Sequence, residues 1–302
     1  MVAAGGEARG AAARRLIVTS DDFGLDLAVN EAVEKAHRDG ILTAASLMVG
    51  APAAADAVER ARRLPALKVG LHVALVDATP VLPPDRVPDL VGPDGRFSKN
   101  LVRAGFSFFF RPRVRAQLAA EIRAQFDAFA ATGLPLDHVN CHNHMQLHPT
   151  VAGLIMKFGR AYGLAAMRVP VEPAGPVARA AAAMGEAAPG GIGARALALW
   201  TRVLSGRLAR AGIAAPDAVF GLAWTGHMTE DRLLALIPHL PPGTSELYAH
   251  PATRQSPALA ELMPTYDQPG ELAALLSPRV KAALDAAGIP RVAYADLAPA
   301  GG

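Results

Sequence analysis

Short apolar runs alternate with longer stretches of helical period along most of the chain. LIVTS (16–20), AASLMVG (44–50) and VGLHVAL (69–75) read as strands. Between them, apolar positions recur three and four apart over 27–38 and again in a run ending near Arg63, which predicts helices. Helical patterns follow at 112–131 and 149–162, with HVNCHNHMQLHP (138–149) between them as a strand running out into a loop. Further strands are expected at AMRVPVE (166–172), AVFGLAW (218–224), ELYAH (246–250) and RVAYADL (291–297), and helices at 229–239 and 270–287. Strands alternating with helices pair in parallel through right-handed crossovers. About seven such units predict an α/β fold, an irregular (β/α) barrel of the TIM type.

Two segments break the rhythm. Residues 76–111 are rich in proline, glycine and aspartate and end in FSFFFRP; residues 174–216 are rich in alanine, glycine and arginine. Both follow strands, on the face where barrel loops build sites. The chain thus reads as a disordered lead-in (1–14) before one barrel domain (15–302) with insertions at 76–111 and 174–216.

Composition mainly excludes. Of 302 residues 51% are hydrophobic and 19% charged, ordinary for a globular chain with a generous core. A net charge of +3, with arginines scattered over helical faces, argues against a nucleic-acid surface. The single cysteine, Cys141, forbids an internal disulfide framework and fits a reducing cytosol. No apolar run is long enough to span a bilayer.

The chemistry gathers at the ends of the expected strands, where parallel α/β enzymes place it. Strand one ends in Asp21-Asp22-Phe23-Gly24 and strand three contains His72. The fourth carries His142 and His144, on an extended chain that points His138, Asn140, His142 and His144 to one side. Glu172, Trp224 with His227, and His250 follow later strands, and Asp296 ends the last. Adjacent Asp21 and Asp22 should point apart, so that one carboxylate binds a cation while the other takes a proton. Asp22, His72 and His142 offer one oxygen and two nitrogens, a set resembling a catalytic zinc site. His250 is the available acid for a leaving group.

Singly, each residue has a plainer reading. Asp21-Asp22 could form a turn and helix cap, His72 a satisfied half-buried histidine, and His138 and His148 structural groups. His227 is equally a cap neighbour or a substrate contact. Joint occurrence at successive strand ends favours a metal site.

TSDDFG, GLHVAL, HVNCHNHMQLHP and ELYAHP, in this order, resemble the YdjC-like carbohydrate deacetylases from about Arg15 to the last strand. The resemblance implies an irregular (β/α) barrel that removes acetyl groups from N-acetylated amino sugars with a divalent metal. It implies Asp22, His72 and His142 as ligands of Zn²⁺, with Mg²⁺ as the alternative, Asp21 as general base and His250 as acid. FFFRPRVRAQLAAEIRAQFDAF, TGLPLDHVNCHNHMQLHPTV and YGLAAMRVPVEP are similar to the subgroup associated with hopanoid biosynthesis, implying an N-acetylglucosaminyl hopanoid substrate. Cys141 and Gln146 depart from the pattern, the former replacing a smaller residue and the latter a histidine. His144, Glu172, Trp224, His227, Phe108, Phe109 and Phe110 are the candidate substrate contacts.

Phe106, Phe108, Phe109 and Phe110 crowd one loop beside Arg111 and Arg113. Exposed, they would suit a lipid tail or a membrane surface; buried, they are core. In the same way 174–216 is either an amphipathic lid, with Leu197, Leu199, Trp200 and Leu204 on its apolar side, or a packed helix. The expected location is cytoplasmic, with room for peripheral contact at the inner membrane and for a homodimer. The rival readings are a deacetylase of soluble chitooligosaccharides and a non-catalytic binder of acetylated sugars or lipids.

Overall fold

β1 (Arg14–Phe23) is buried from Leu16 onward. A strand buried on both faces needs strands at both edges and cover above and below. The computed structural model describes residues 13–187 and 193–297, the side chains of 193–199 excepted. Residues 1–12 of the predicted lead-in, and the side chains of Leu197 and Leu199, lie outside the described residues. After β1 come α1 (Leu27–Asp39), β2 (Ala44–Leu47), α2 (Ala54–Arg62), β3 (Lys68–Val73), α3 (Leu101–Phe110) and α4 (Pro112–Ala131). Then follow β4 (Val139–Cys141), α5 (Pro149–Gly159), α6 (Ala174–Ala183), α7 (Gly193–Arg210), β5 (Ala218–Phe220) and α8 (Glu230–Leu236). β6 (Gly243–Ala249), α9 (Pro257–Leu262), α10 (Gln268–Leu276), α11 (Pro278–Ala286) and β7 (Arg291–Val292) complete the order.

The seven strands form one parallel sheet in the order β4-β3-β2-β1-β6-β5, with β7 paired to β1. β7 and β2 share one edge of β1: β7 takes Leu16 and Ile17, and β2 takes Thr19 to Phe23. The sheet curls toward closure through residues 165–171. There the Val139 amide donates to the Ala166 carbonyl, Arg168 to Val139, Met167 to Ala214 and Val219 to Val171. The expected strand at 166–172 is thus an irregular bridge between the edges, because Pro170 and Pro173 remove two amides from any regular ladder.

Apolar side chains of β1–β6 and of the covering helices make a main core, from Leu16 and Val18 to Leu284 and Ile289, and Ile17, Ala44, Ala166 and Tyr294 form a second, smaller cluster. Burying each leucine or valine in it contributes about 1.5–3 kcal/mol relative to exposure. Local signals set the helix starts: the Asp26 carboxylate accepts from the Ala28 amide, and Pro112 and Pro149 open α4 and α5.

Three expectations change. The predicted last strand stops at Val292, and the Asp296 carboxylate turns back onto the Ala293 amide. Arg15 at the start of β1 donates to the Asp296 carbonyl, so Asp296 sits at the end of the barrel away from the other polar groups. Within 76–111 the chain forms α3, and buried Glu121 of α4 fixes this insertion by accepting from the Val81 and Leu82 amides. Within 174–216 it forms α6 and α7.

Candidate metal centre and active site

The carboxyl ends of the strands surround a cavity of about 420 Å³. All four non-glycine residues with positive φ among the described residues, Asp22 (60°), Asp77 (47°), Asn143 (53°) and His144 (52°), line it. Left-handed backbone in such residues is strained and persists where the surroundings impose it, often at functional sites.

The strain has a consequence at β1. Pairing with β2 shifts register between Ser20 and Phe23, and Asp22 takes the left-handed conformation there. Alternation is broken, so Asp21 and Asp22 both face the cavity rather than pointing apart. β4 likewise ends at Cys141, and the turn at Asn143 and His144, not an extended run, carries His142 and His144 inward. Cys141 also reaches the cavity wall, where burial pushes its thiol pKa up and leaves it un-ionised.

Asp22, His72 and His142 each offer one ligand atom within 4.8 Å of the others. Asp22 Oδ1 lies 3.1 Å from His142 Nδ1 and 3.3 Å from His72 Nε2. A chain of hydrogen bonds fixes the His72 tautomer. Asn140 Nδ2 faces the Asp21 carboxylate and Ser46 Oγ, both at 2.9 Å, so it is the amide nitrogen that points there. Asn140 Oδ1 then accepts from His72 Nδ1 at 2.7 Å, leaving the Nε2 lone pair aimed at Asp22. A lone pair facing a buried carboxylate needs a proton or a cation between them. Asp22 Oδ2, buried and without a partner, offers a further donor atom. The residues therefore fit a divalent cation, and an oxygen with two imidazoles is a donor set for zinc or a similar ion. For Asp22, burial favours the neutral acid, but His142 and His72 outweigh it and hold the carboxyl well below the usual carboxylate range.

Behind this group lies a network that the sequence reading missed. Arg168 is fully buried; Nη1 and Nη2 donate to Asp21 at 2.5 and 2.9 Å, and Nε and Nη2 donate to Glu246. Tyr294 Oη donates to Glu246, and the Arg168 guanidinium lies 4.5 Å from the Tyr248 ring centre. Burial would raise the Asp21 pKa, but the charge and hydrogen bonds of Arg168, together with nearby His72 and His250, outweigh burial and keep the carboxyl ionised far below its usual range. The available signal was an arginine inside AMRVPVE and a glutamate inside ELYAH, charges in apolar strand patterns that only pairing makes tolerable.

His250 also lines the cavity, its ring 5.6 Å from Tyr248 and 5.2 Å from Tyr266. Its amide donates to buried Glu271 at 2.6 Å, and its Nδ1 is buried without a partner. His144 Nε2 meets Tyr248 Oη at 3.1 Å; burial, then the nearby Arg168 charge, pushes its pKa down to about 3. His138 is structural, as its plainer reading held. Its Nδ1 donates to Asp137, Ser46 Oγ donates to its Nε2, and it stacks on Tyr294 at 4.2 Å. Gly70 makes room for it, since a Cβ there would fall 2.5 Å from the ring. Gln146 is fully buried with neither amide atom partnered.

Other candidate contacts lie away from the cavity wall. The Glu172 carboxylate accepts from the Gly221, Leu222 and Ala223 amides, holding the turn after β5. Trp224 is buried under the Arg232 guanidinium, and Arg232 also donates to the His227 carbonyl. Phe108 is buried beside His148, whereas Phe109 and Phe110 are exposed on α3.

The YdjC-like protein family matches residues 15–286. A carbohydrate deacetylase of Brevibacillus brevis is 36% identical over 160 residues, 52% of this chain and 58% of that protein. One from Vibrio vulnificus is 37% identical over 150 residues, 49% of this chain and 56% of that protein. The matched stretch thus spans little more than half the length of these two relatives. A carbohydrate deacetylase of Geobacillus stearothermophilus is 28% identical over 288 residues, 94% of this chain and 98% of that protein. A crystal structure provisionally described as a cellobiose-phosphate cleavage protein of Enterococcus faecalis superposes with a TM-score of 0.71 at 24% identity, over 95% of this chain and 100% of that one. That likeness is one of fold.

Proposed function

The chain belongs to the YdjC-like family, and on that premise we propose that it is a metal-dependent N-deacetylase of an N-acetylated amino sugar. One observation carries the reading: the Asp22, His72 and His142 ligand group shares a cavity with Asp21 and His250. The carbohydrate deacetylases to which the chain is similar support it.

A divalent cation, Zn²⁺ in this reading, held by Asp22, His72 and His142 would polarise a carbonyl and make water nucleophilic near neutral pH. Asp21, kept ionised by Arg168, accepts a proton from the water that attacks the acetamide carbonyl carbon. Asn140 and Arg168 hold that carboxylate in place throughout. His250 gives a proton to the sugar nitrogen as the carbon–nitrogen bond breaks, so acetate and a free amine leave. His144 and Tyr248, hydrogen-bonded to each other at the wall, are positioned for the sugar hydroxyls.

The substrate proposed is an N-acetylglucosaminyl hopanoid. Its support is the resemblance of the segments 108–129, 132–151 and 162–173 to the hopanoid-associated subgroup, together with exposed phenylalanines on α3. A soluble chitooligosaccharide is the second reading, compatible with the carbohydrate deacetylases among the relatives. Acetate release by zinc-loaded protein from N-acetylglucosaminyl hopanoid in detergent, with diacetylchitobiose in parallel, tests both. Release from the hopanoid alone is expected. Release from diacetylchitobiose alone overturns the hopanoid assignment, and release from neither, with metal bound, overturns the enzyme reading in favour of a binding protein.

A further inference from the structure

α3 is apolar on two faces. Ala104 and Phe108 turn inward and are buried. Val102, Phe106, Phe109 and Phe110, at spacings that make one opposite stripe, expose 81%, 67%, 49% and 60% of their surface. The Phe110 ring lies 4.6 Å from Phe106 and 4.8 Å from Phe109, so the rings pack on one another outside the core. Phe109 also meets the His148 ring, and the neighbouring Leu147 carbonyl accepts from Trp200 Nε1. Trp200 and Val203 on α7 are themselves 38% and 46% exposed. The open apolar surface therefore continues from α3 across 147–148 to α7. A contiguous patch of this kind marks an interaction site.

The charges carried by the segments that form it are all positive. Residues 99–120 carry Lys99, Arg103, Arg111, Arg113 and Arg115 and no acid; residues 193–216 carry four arginines and no acid. Arg113 pairs with Asp89, and Lys99 lies near Asp77 and Glu261. Among the described residues, Arg103, Arg111, Arg115, Arg202, Arg207 and Arg210 meet no carboxylate.

We propose that this face docks onto an anionic lipid bilayer, with Phe106, Phe109, Phe110 and Trp200 entering the boundary between headgroups and acyl chains. The unpaired arginines then meet lipid phosphates. A second copy of the same face is a poorer partner, since a two-fold interface would set arginines against arginines. No helix among the described residues is long and apolar enough to cross a membrane, so the contact is peripheral. α3 and 147–148 follow the carboxyl ends of β3 and β4, the end that carries the cavity, and Trp200 ties α7 to Leu147 beside them. Docking therefore brings the cavity's end of the barrel to the lipid surface. The inference stands without the deacetylase reading, since it concerns binding alone.

The test is co-sedimentation of the full chain with vesicles of phosphatidylglycerol and phosphatidylcholine, against phosphatidylcholine alone. Binding to the anionic vesicles, weakened by salt, is expected. Replacing Phe106, Phe109 and Phe110 together by serine should weaken it by about tenfold or more with the melting temperature maintained, because these rings lie outside the core. A second readout needs no variant: Trp224 is buried, so a blue shift and quenching by brominated lipid report Trp200 entering the bilayer. No binding, binding equal in parent and triple variant, or a parent dimer that the triple variant turns into a monomer would each overturn the proposal.

Discussion

His72 Nδ1 donates to the Asn140 side-chain oxygen across 2.7 Å, and this bond decides which nitrogen of His72 faces Asp22. The chain runs on from Asn140 to Ser46 and from Ser46 to His138, so one polarised line of donors reaches from the barrel interior to the candidate metal site. Partners of this kind typically govern affinity as well as orientation. Asn140→Ala should weaken zinc binding by about 10–100-fold, read by titration against a competing chelator. Unchanged affinity would show that the tautomer is set by other means.

Asp21 and Asp22 are neighbours with different tasks in the proposed reaction. Asp21→Asn removes the proton acceptor while Arg168 keeps Glu246 as a partner. Turnover should fall by about 10²–10⁴-fold, with zinc content by elemental analysis nearly unchanged. Full activity in this variant rules the base assignment out.

Arg168 holds two buried carboxylates, Asp21 and Glu246, that no other guanidinium reaches among the described residues. Arg168→Met leaves both charges uncompensated. A loss of about 3–5 kcal/mol in unfolding free energy is expected in urea titrations. A smaller loss would mean that one carboxyl is taking up a proton, which the pH dependence of the variant's stability would reveal.

The pH dependence of stability has a contributor beneath the α3 patch. Burial lowers the His148 pKa from its ordinary 6.5, and the hydrogen bond to the Gly105 carbonyl only partly offsets this. The folded state thus binds its proton less readily than the unfolded chain. Above about pH 6.5 both forms are neutral and the term vanishes. As pH falls below that value the unfolded chain is protonated first and stability declines, until the folded pKa is passed. Melting temperatures between pH 7.5 and 5 should drop less steeply for His148→Phe than for the parent; equal slopes would remove His148 from the account.

Much of the barrel was legible in the sequence because apolar periodicity and helix caps are local. The runs at 16–20, 44–50, 69–75 and 246–250 each overlap a parallel strand, and α1, α4 and α5 begin where their caps and prolines stand. The same locality explains the misses. Nothing near AMRVPVE tells that Pro170 and Pro173 leave it an irregular bridge, nor that α3 turns Phe108 inward and its three neighbouring phenylalanines outward.

The sequence by itself determined which groups could carry chemistry: carboxylates and imidazoles at successive strand ends, in an order that few other patterns produce. Only the tertiary structure decided how they meet. Left-handed turns at Asp22, Asn143 and His144 cancel the alternation that an extended chain would impose, bringing side chains expected on opposite faces into one cavity. The pairing of Arg168 with Asp21 spans 147 positions of chain, and Glu172, at the end of an expected strand like the others, uses its oxygens on backbone amides. Periodicity is set by neighbours a few residues away, whereas a buried charge is settled by whichever partner the fold delivers.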